Sequence, residues 1–344
     1  MSDSKNVPTE RVKDDEKNFS RRIIKLLTQW EFILFLLFIL VVIFNSFLSP
    51  YFLDYFNIMN TTFNFMEKAI IALSMVFIIL VADIDISVAG IIALSSLFMG
   101  MASYHGAGTG TLIVIGLMVG ILAGLLNGLI ITKFNIPAIA VTIGSMSLFR
   151  GIAYAVLGDK AYTKYPKSFS YFGQGYIPGT VIPFELVLFV VLAIIFSFML
   201  HRTSFGRKLY AAGNNPVASR FSGIKVNRIR LFLFSLNGFM SGIAAILLTS
   251  RIGSTRPNIA NGWELEIITT VVLGGIAITG GKGKMLGVII GIFLIGFLKF
   301  GMGLVNIPGK VMNIVVGFLL IIAIMLPDFI GKLRKNYILK QERA

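Results

Sequence analysis

The chain has 344 residues, of which 56% are hydrophobic and only 14% charged, and its mean hydropathy is +0.84. A soluble chain covers its surface with charged residues at about a quarter of its length, so the solvent to reason with here is the bilayer. The net charge of +15 does not point to nucleic acid, because the basic residues are spread among loops, where Lys and Arg mark the cytoplasmic side of a membrane protein.

The apolar runs are continuous instead of alternating with period two, which selects helices over a barrel and an all-α fold. Met1 to Gln29 are mostly polar with mixed charges, and no small-residue cleavage site follows the first apolar run, so a signal peptide is not expected. From Phe19 to Trp30 the pattern changes: Phe19, Ile23, Leu26, Leu27 and Trp30 share one helical face and Arg21, Arg22 and Lys25 the other. This pattern predicts a helix lying on the inner leaflet. Ten apolar segments follow at 31–49, 66–82, 87–104, 110–131, 138–157, 182–200, 231–250, 265–281, 285–303 and 311–327. The expected organisation is a cytoplasmic tail at 1–29, a transmembrane domain at 30–330 and a second tail at 331–344. An even count places both termini on one side. With the N-terminus inside, 22 of the 31 Lys and Arg fall on the inner side and seven on the outer, the remaining two being Arg150 and Lys299 within spans. That bias selects N-in and C-in.

Two loops are long enough to act. The outer one, 158–181, is rich in Tyr, Phe, Gly and Lys and suits an extracytoplasmic partner. The inner one, 201–230, carries Asn214-Asn215-Pro216, a helix start with proline suited to the first turn. It predicts a short helix from Pro216 to Phe221 ending near Gly223, one of a pair against the inner membrane face.

In the fourth span Gly116, Gly120, Gly124 and Gly128 recur every four residues, lining one helix face with bare backbone for a close neighbour. Gly283, Gly287 and Gly291 repeat the device. Two helix pairs are joined by short broken connections, one holding Asp83, Asp85 and Ser87 and the other running from Leu273 through Gly274 and Gly275 to Gly283. An offset of 192 superposes Ile84 on Ile276, Ile86 on Ile278 and Ser87 on Thr279. Interrupted spans in matching positions mark transport pathways; two ordinary inner turns are the alternative. Arg150 sits mid-span, where an unpaired charge costs about 2.5–3.5 kcal/mol. It must face protein or water, paired with Asp85, Glu264 or helix carbonyls. Asn127 and Asn237 are expected to bond across helices, whereas Lys299, near a span end, snorkels without a role.

Cysteine is absent, which removes disulfides and thiolate sites, and His105 and His201 stand apart. There is no GxxxxGK[ST] loop and no HExxH, so neither ATP binding by a P-loop nor a catalytic or metal constellation is expected.

Four stretches carry a resemblance: Ile84 to Ser87; FNIPAIAVTIGSMSLFRGIAY (Phe134 to Tyr154); GRKLYAAGNNPVASRFSGI (Gly206 to Ile224); and GWELEIITTVVLGGIAITGGKG (Gly262 to Gly283). Over roughly residues 30–330 the chain resembles the permease subunits of the ribose/galactose/rhamnose class of bacterial ABC sugar importers. The tract at Phe172 to Gly175 looks most like permeases for rhamnose or the furanosyl autoinducer. The resemblance implies an ABC importer permease fold in the bacterial cytoplasmic (inner) membrane. It also implies a separate cassette ATPase that binds the ATP, an extracytoplasmic sugar-binding protein, and a second permease copy or homologue. Gly206, Ala212, Gly213, Asn215, Ala218, Gly223 and Ile224 would then form the ATPase-coupling loop. Asp85, Ser87, Phe149, Arg150, Tyr154, Glu264, Gly274 and Gly275 are the pathway candidates, with Phe149 and Tyr154 able to stack on a sugar. Asp83 departs from the small residues usual before this motif. The competing reading is an ion-coupled secondary transporter using Asp83, Asp85, Arg150 and Glu264.

Overall fold

A computed structural model describes residues 29–319 together with Ile321, Ile322 and Met325. The two tails, all but the end of the expected interfacial helix, and the end of the last apolar segment lie outside the described residues. The helices are α1 (Trp30–Leu48), α2 (Tyr55–Thr61), α3 (Met66–Leu80), α4 (Val88–Tyr104), α5 (Thr109–Phe134), α6 (Ala138–Leu157), α7 (Tyr171–Gln174), α8 (Phe184–Arg202), α9 (Ser204–Asn214), α10 (Pro216–Phe221), α11 (Val226–Ile252), α12 (Trp263–Leu273), α13 (Met285–Leu304) and α14 (Gly309–Leu319). Among the described residues there is no β-strand, only two isolated bridges.

Among the described residues six helices are long and apolar enough to cross a bilayer: α1, α5, α6, α8, α11 and α13. The pair of α2 and α3, bent by 57°, makes a seventh if counted as one span. Every one of the ten apolar segments contains a helix, but α3 and α12 are short for a physical reason. At about 1.5 Å per residue, α3 is roughly 22 Å long and α12 roughly 16 Å, both less than the ~30 Å core. The segment at 265–281 is thus not one continuous helix. It stops at Leu273, because Gly274 and Gly275 begin a turn in which Gly275, Gly280, Gly281 and Gly283 all have positive φ. The end of α3 is matched by Ala82, a non-glycine residue at φ 61°, a conformation that costs an L side chain energy and persists only where surroundings enforce it.

The centre is α3, whose residues are all buried except Lys68, the expected property of a helix that is apolar all round. Around it stand α8, α9, α11, α12 and α13. Outward faces carry Leu40, Phe44, Val114, Leu148, Ile194 and Phe198, all exposed, which suits hydrocarbon.

The glycine row on the fourth span interlocks with a second row on α11. A Cβ at Gly120 would meet Gly238 O and Gly242 Cα; one at Gly124 would meet Phe234 O; one at Gly238 would meet Gly120 O. The two backbones touch, and only glycine permits it. Gly287 does the same for α13 against Gly274 O, just past the end of α12.

The opposite end from the two breaks is tied by ions and hydroxyls. Glu266 accepts from both Lys68 and Lys299 at 2.7 Å, so Lys299 does not snorkel free as its position suggested; the carboxylate on α12 holds it. Arg251 pairs with buried Glu67 at 2.6 Å. The loop 158–181 is folded onto this end: Tyr162 bridges Thr255, Tyr165 Oη shares a 2.6 Å bond with Thr255 Oγ1, and Thr255 Oγ1 meets Ser96 Oγ at 2.6 Å. Burial pushes the Tyr165 phenol up to about 12, with the Thr255 bond opposing it.

Candidate functional site

Three connections that sequence placed on one side of the membrane meet in space: the α3–α4 break, the α12–α13 break and the α9–α10 loop. Gly281 N donates to Leu80 O at 2.8 Å, joining the breaks to each other. Gly213 of α9 rests on both, since a Cβ there would strike Leu80 O and lie 2.6 Å from Gly281 N. Tyr210 Oη donates to Gly283 O at 2.7 Å, and burial raises its phenol above the ordinary value, so it stands as a neutral donor. Asn214 Nδ2 adds a 3.4 Å bond to Gly281 O, and Met285 N donates to His201 Nε2 at 3.2 Å.

The helix pair is built as its sequence requires. Thr203 caps α9 by accepting from Gly206 N, and Asn215 caps α10 by accepting from Ala218 N at 2.9 Å. Such caps replace missing intrahelical acceptors at a helix start. Pro216 occupies the first turn, and Gly223 leaves α10 at φ 82° with open space around it. Ala212 is buried, Ala218 and Gly223 are exposed, and Ile224 lines an open groove with Phe205, Lys208 and Arg228. The outward face ends in Phe221, 90% exposed, with Val217 beside it.

The α3–α4 break holds a buried polar chain. Asp85 accepts from Ser87 N at 2.9 Å, Ser87 Oγ at 2.6 Å and Asn237 Nδ2 at 2.8 Å. Asn127 Nδ2 donates to Ser87 Oγ, and Ser74 Oγ donates to Asn237 Oδ1. Thus both asparagines bond across helices, and each donor is aimed at a carboxylate or hydroxyl that burial would otherwise leave unpaired. Asp83, unexplained by sequence, receives Arg230 bidentately, from Nε at 2.5 Å and Nη2 at 2.6 Å.

The eight pathway candidates divide into three groups. Asp85, Ser87, Gly274 and Gly275 lie at the breaks. There Gly274 packs on Val288, and Gly275 faces the indole of Trp30, whose Nε1 donates to Leu273 O at 2.8 Å. Arg150, Tyr154 and Glu264 gather towards the other end. Arg150 Nη1 donates to Pro257 O at 3.0 Å and Ile259 O at 3.2 Å, carbonyls of a loop instead of a helix, and not to Asp85. Glu264 and Tyr154 stand within its electrostatic reach, and Tyr154 is half exposed. Phe149 is separate from both: it is buried against Ile91, Leu94 and Ala123 in the packing of α4, α5 and α6.

Comparison with known proteins places this geometry. The profile of a family described as the permease component of the branched-chain amino acid transport system matches residues 57–324. The chain belongs to this permease family. It is 38% identical to the ribose import permease protein of Bacillus subtilis over 292 residues, covering 84% of this chain and 90% of that one. To the ribose import permease protein of Haemophilus influenzae it is 32% identical, covering 89% and 94%. To an autoinducer 2 import system permease protein of Photorhabdus temperata it is 31% identical, covering 86% and 90%. No solved structure matches it. The protein is therefore a polytopic membrane permease subunit, not an enzyme, and the family resemblance drawn from its four sequence stretches holds.

Sequence reasoning about the permease missed Arg230, Tyr210, Trp30 and Phe221. Arg230 alone left a usable signal, since an arginine at the mouth of an apolar segment needs an acid and Asp83 had no role. Tyr210 bonds a carbonyl 73 residues away, a pairing no local pattern encodes.

Proposed function

We propose that the permease is the membrane-spanning subunit of an ATP-binding-cassette importer in the bacterial cytoplasmic membrane, carrying a neutral monosaccharide or related furanosyl compound delivered by an extracytoplasmic binding protein. Counting each of the ten apolar segments as a crossing, the short α3 and α12 included, and taking both termini as inside, the α9–α10 loop and both breaks face the cytoplasm and 158–181 lies outside. A second copy or homologue completes the pathway. ATP is bound by a separate cassette subunit that docks on α9–α10, where exposed Phe221 and Val217 offer apolar anchors. The observation that carries this reading is the contact of a rigid, capped helix pair with both broken connections through Gly213. Ribose and autoinducer 2 in the names of three relatives support the substrate class over a branched-chain amino acid.

The test is co-purification with the cassette ATPase, and ATP-dependent sugar uptake, for the wild type and Gly213→Asp. The aspartate side chain has no room against Leu80 and Gly281, so coupled uptake is expected to collapse. Assembly and uptake both intact in Gly213→Asp would remove the coupling-loop assignment. Uptake that disappears with the proton gradient while ATP is maintained would favour the ion-coupled transporter instead.

A further inference from the structure

The loop presents different residues outward and inward. Phe221 and Val217 project away from the protein, whereas Tyr210, Gly213 and Asn214 of α9 face the α12–α13 and α3–α4 breaks. Arg230, five residues into α11 and directly after the loop, holds Asp83. Docking and transmission thus fall on separable side chains.

We propose that Tyr210 and Arg230 are the positioning residues through which the loop moves the two breaks, Tyr210 by way of Gly283 and Arg230 by way of Asp83. The proposal rests on the assignment of α9–α10 as the ATPase-docking element. The contacts transmit in both directions. Movement of α9 inward meets backbone at Leu80 and Gly281, because Gly213 leaves no side chain to yield. Movement outward pulls on the Tyr210 bond to Gly283 O. A bidentate guanidinium–carboxylate pair fixes orientation as well as distance, and the side chains of Arg230 and Asp83 are only 18% and 9% exposed, so solvent screens them little.

The breaks are suited to receive such a stroke. Their backbones are outside helical bonding, Ala82 and the glycines at 275, 280, 281 and 283 have positive φ, and hinge motion is absorbed at a few element-terminal residues of this kind. The Gly281–Leu80 bond makes the breaks move together. From Asp85 the displacement reaches α11 through Asn237 and α5 through Ser87 and Asn127. Asp83, which the family pattern does not explain, acquires a role as the receiving end of one linkage.

The chain has no cysteine, so a single Ile278→Cys, in the α12–α13 break and 38% exposed, gives an unambiguous reporter. The full-length permease is purified with its cassette ATPase in lipid, and maleimide labelling of that cysteine is timed without nucleotide and with ATP plus vanadate. In the parent protein nucleotide is expected to change the labelling rate at least about fivefold, within what one or two hydrogen bonds can couple. Tyr210→Phe and Asp83→Asn are each expected to abolish most of that change while ATPase co-purification and hydrolysis stay within about twofold. The charge-exchanged pair Asp83→Arg with Arg230→Asp is expected to recover it. Nucleotide-dependent labelling that persists in both single variants overturns the proposal. So does a loss of ATPase assembly in parallel with the labelling change, which would make these residues docking contacts. Should Asp83→Asn fail to fold, Tyr210→Phe, which loses one hydroxyl, decides alone. Failure of the parent to hold any ATPase overturns the functional reading itself, a result distinct from the others.

Discussion

Gly124→Ala adds one methyl group where α5 and α11 are in backbone contact. Its Cβ would overlap Phe234 O and lie 2.9 Å from Gly238 Cα, both of them main-chain atoms that no rotamer can clear. Overpacking of this kind costs about 1–3 kcal/mol. Alanine returns about 1 kcal/mol through its helix propensity, so the net effect is a loss of up to roughly 2 kcal/mol. Gly144 on α6 provides the contrast, for nothing lies within 4 Å of its Cβ position. Gly144→Ala takes the propensity gain without the clash and should stabilise by up to about 1 kcal/mol. The two substitutions are chemically identical and opposite in sign. Apparent melting followed by tryptophan fluorescence in one detergent separates them, with Gly124→Ala below Gly144→Ala by about 2–6 °C, the overpacking cost at roughly 2 °C per kcal/mol. If Gly124→Ala melts at or above Gly144→Ala, the helices do not meet at that row and the packing argument is wrong.

Three further outcomes are expected. Phe221→Ala should weaken ATPase binding about tenfold or more, as loss of a buried aromatic anchor does, with the melting temperature unchanged; undiminished co-purification at limiting ATPase would place the docking surface elsewhere. Glu266→Gln leaves Lys68 and Lys299 facing each other without their shared carboxylate and should cost about 3 kcal/mol, whereas replacing all three by uncharged residues should restore much of it. A triple variant as unstable as Glu266→Gln would show that the charges are not the cause. Tyr165 holds its proton more tightly folded than unfolded, so the stability it contributes is complete below its ordinary value of 10.0 and is lost as pH rises through about 12. The phenolate absorbance difference between wild type and Tyr165→Phe should appear only in that upper range, and a difference already complete near 10.0 would show that the phenol is not buried.

How much could be read beforehand depends on how local each signal is. The helix at Pro216–Phe221 was legible because its cap, its first-turn proline and its terminating glycine all lie within ten residues. The glycine row of α5 announced a close neighbour but not its identity, since α11 contributes its matching glycines more than a hundred positions away. Arg150 was legible as a charge that needs partners; that they are the carbonyls of Pro257 and Ile259 was not, because any carbonyl can accept. Phe149 was legible as an aromatic in a family motif able to stack; that it packs among Ile91, Leu94 and Ala123 was not, because those neighbours come from two other helices.

Hydrophobicity, charge bias and glycine spacing, all properties of one helix at a time, determined from sequence alone a polytopic helical membrane protein, the positions of its apolar segments and the capped loop between α8 and α11. The meeting of that loop with two broken connections, one 130 residues before it and one 70 residues after, was decided only in three dimensions. It depends on Tyr210 finding Gly283, Arg230 finding Asp83 and Gly281 finding Leu80. A backbone amide or carbonyl carries no mark of its partner in sequence, so the contacts that would couple this permease became visible only once its helices were packed.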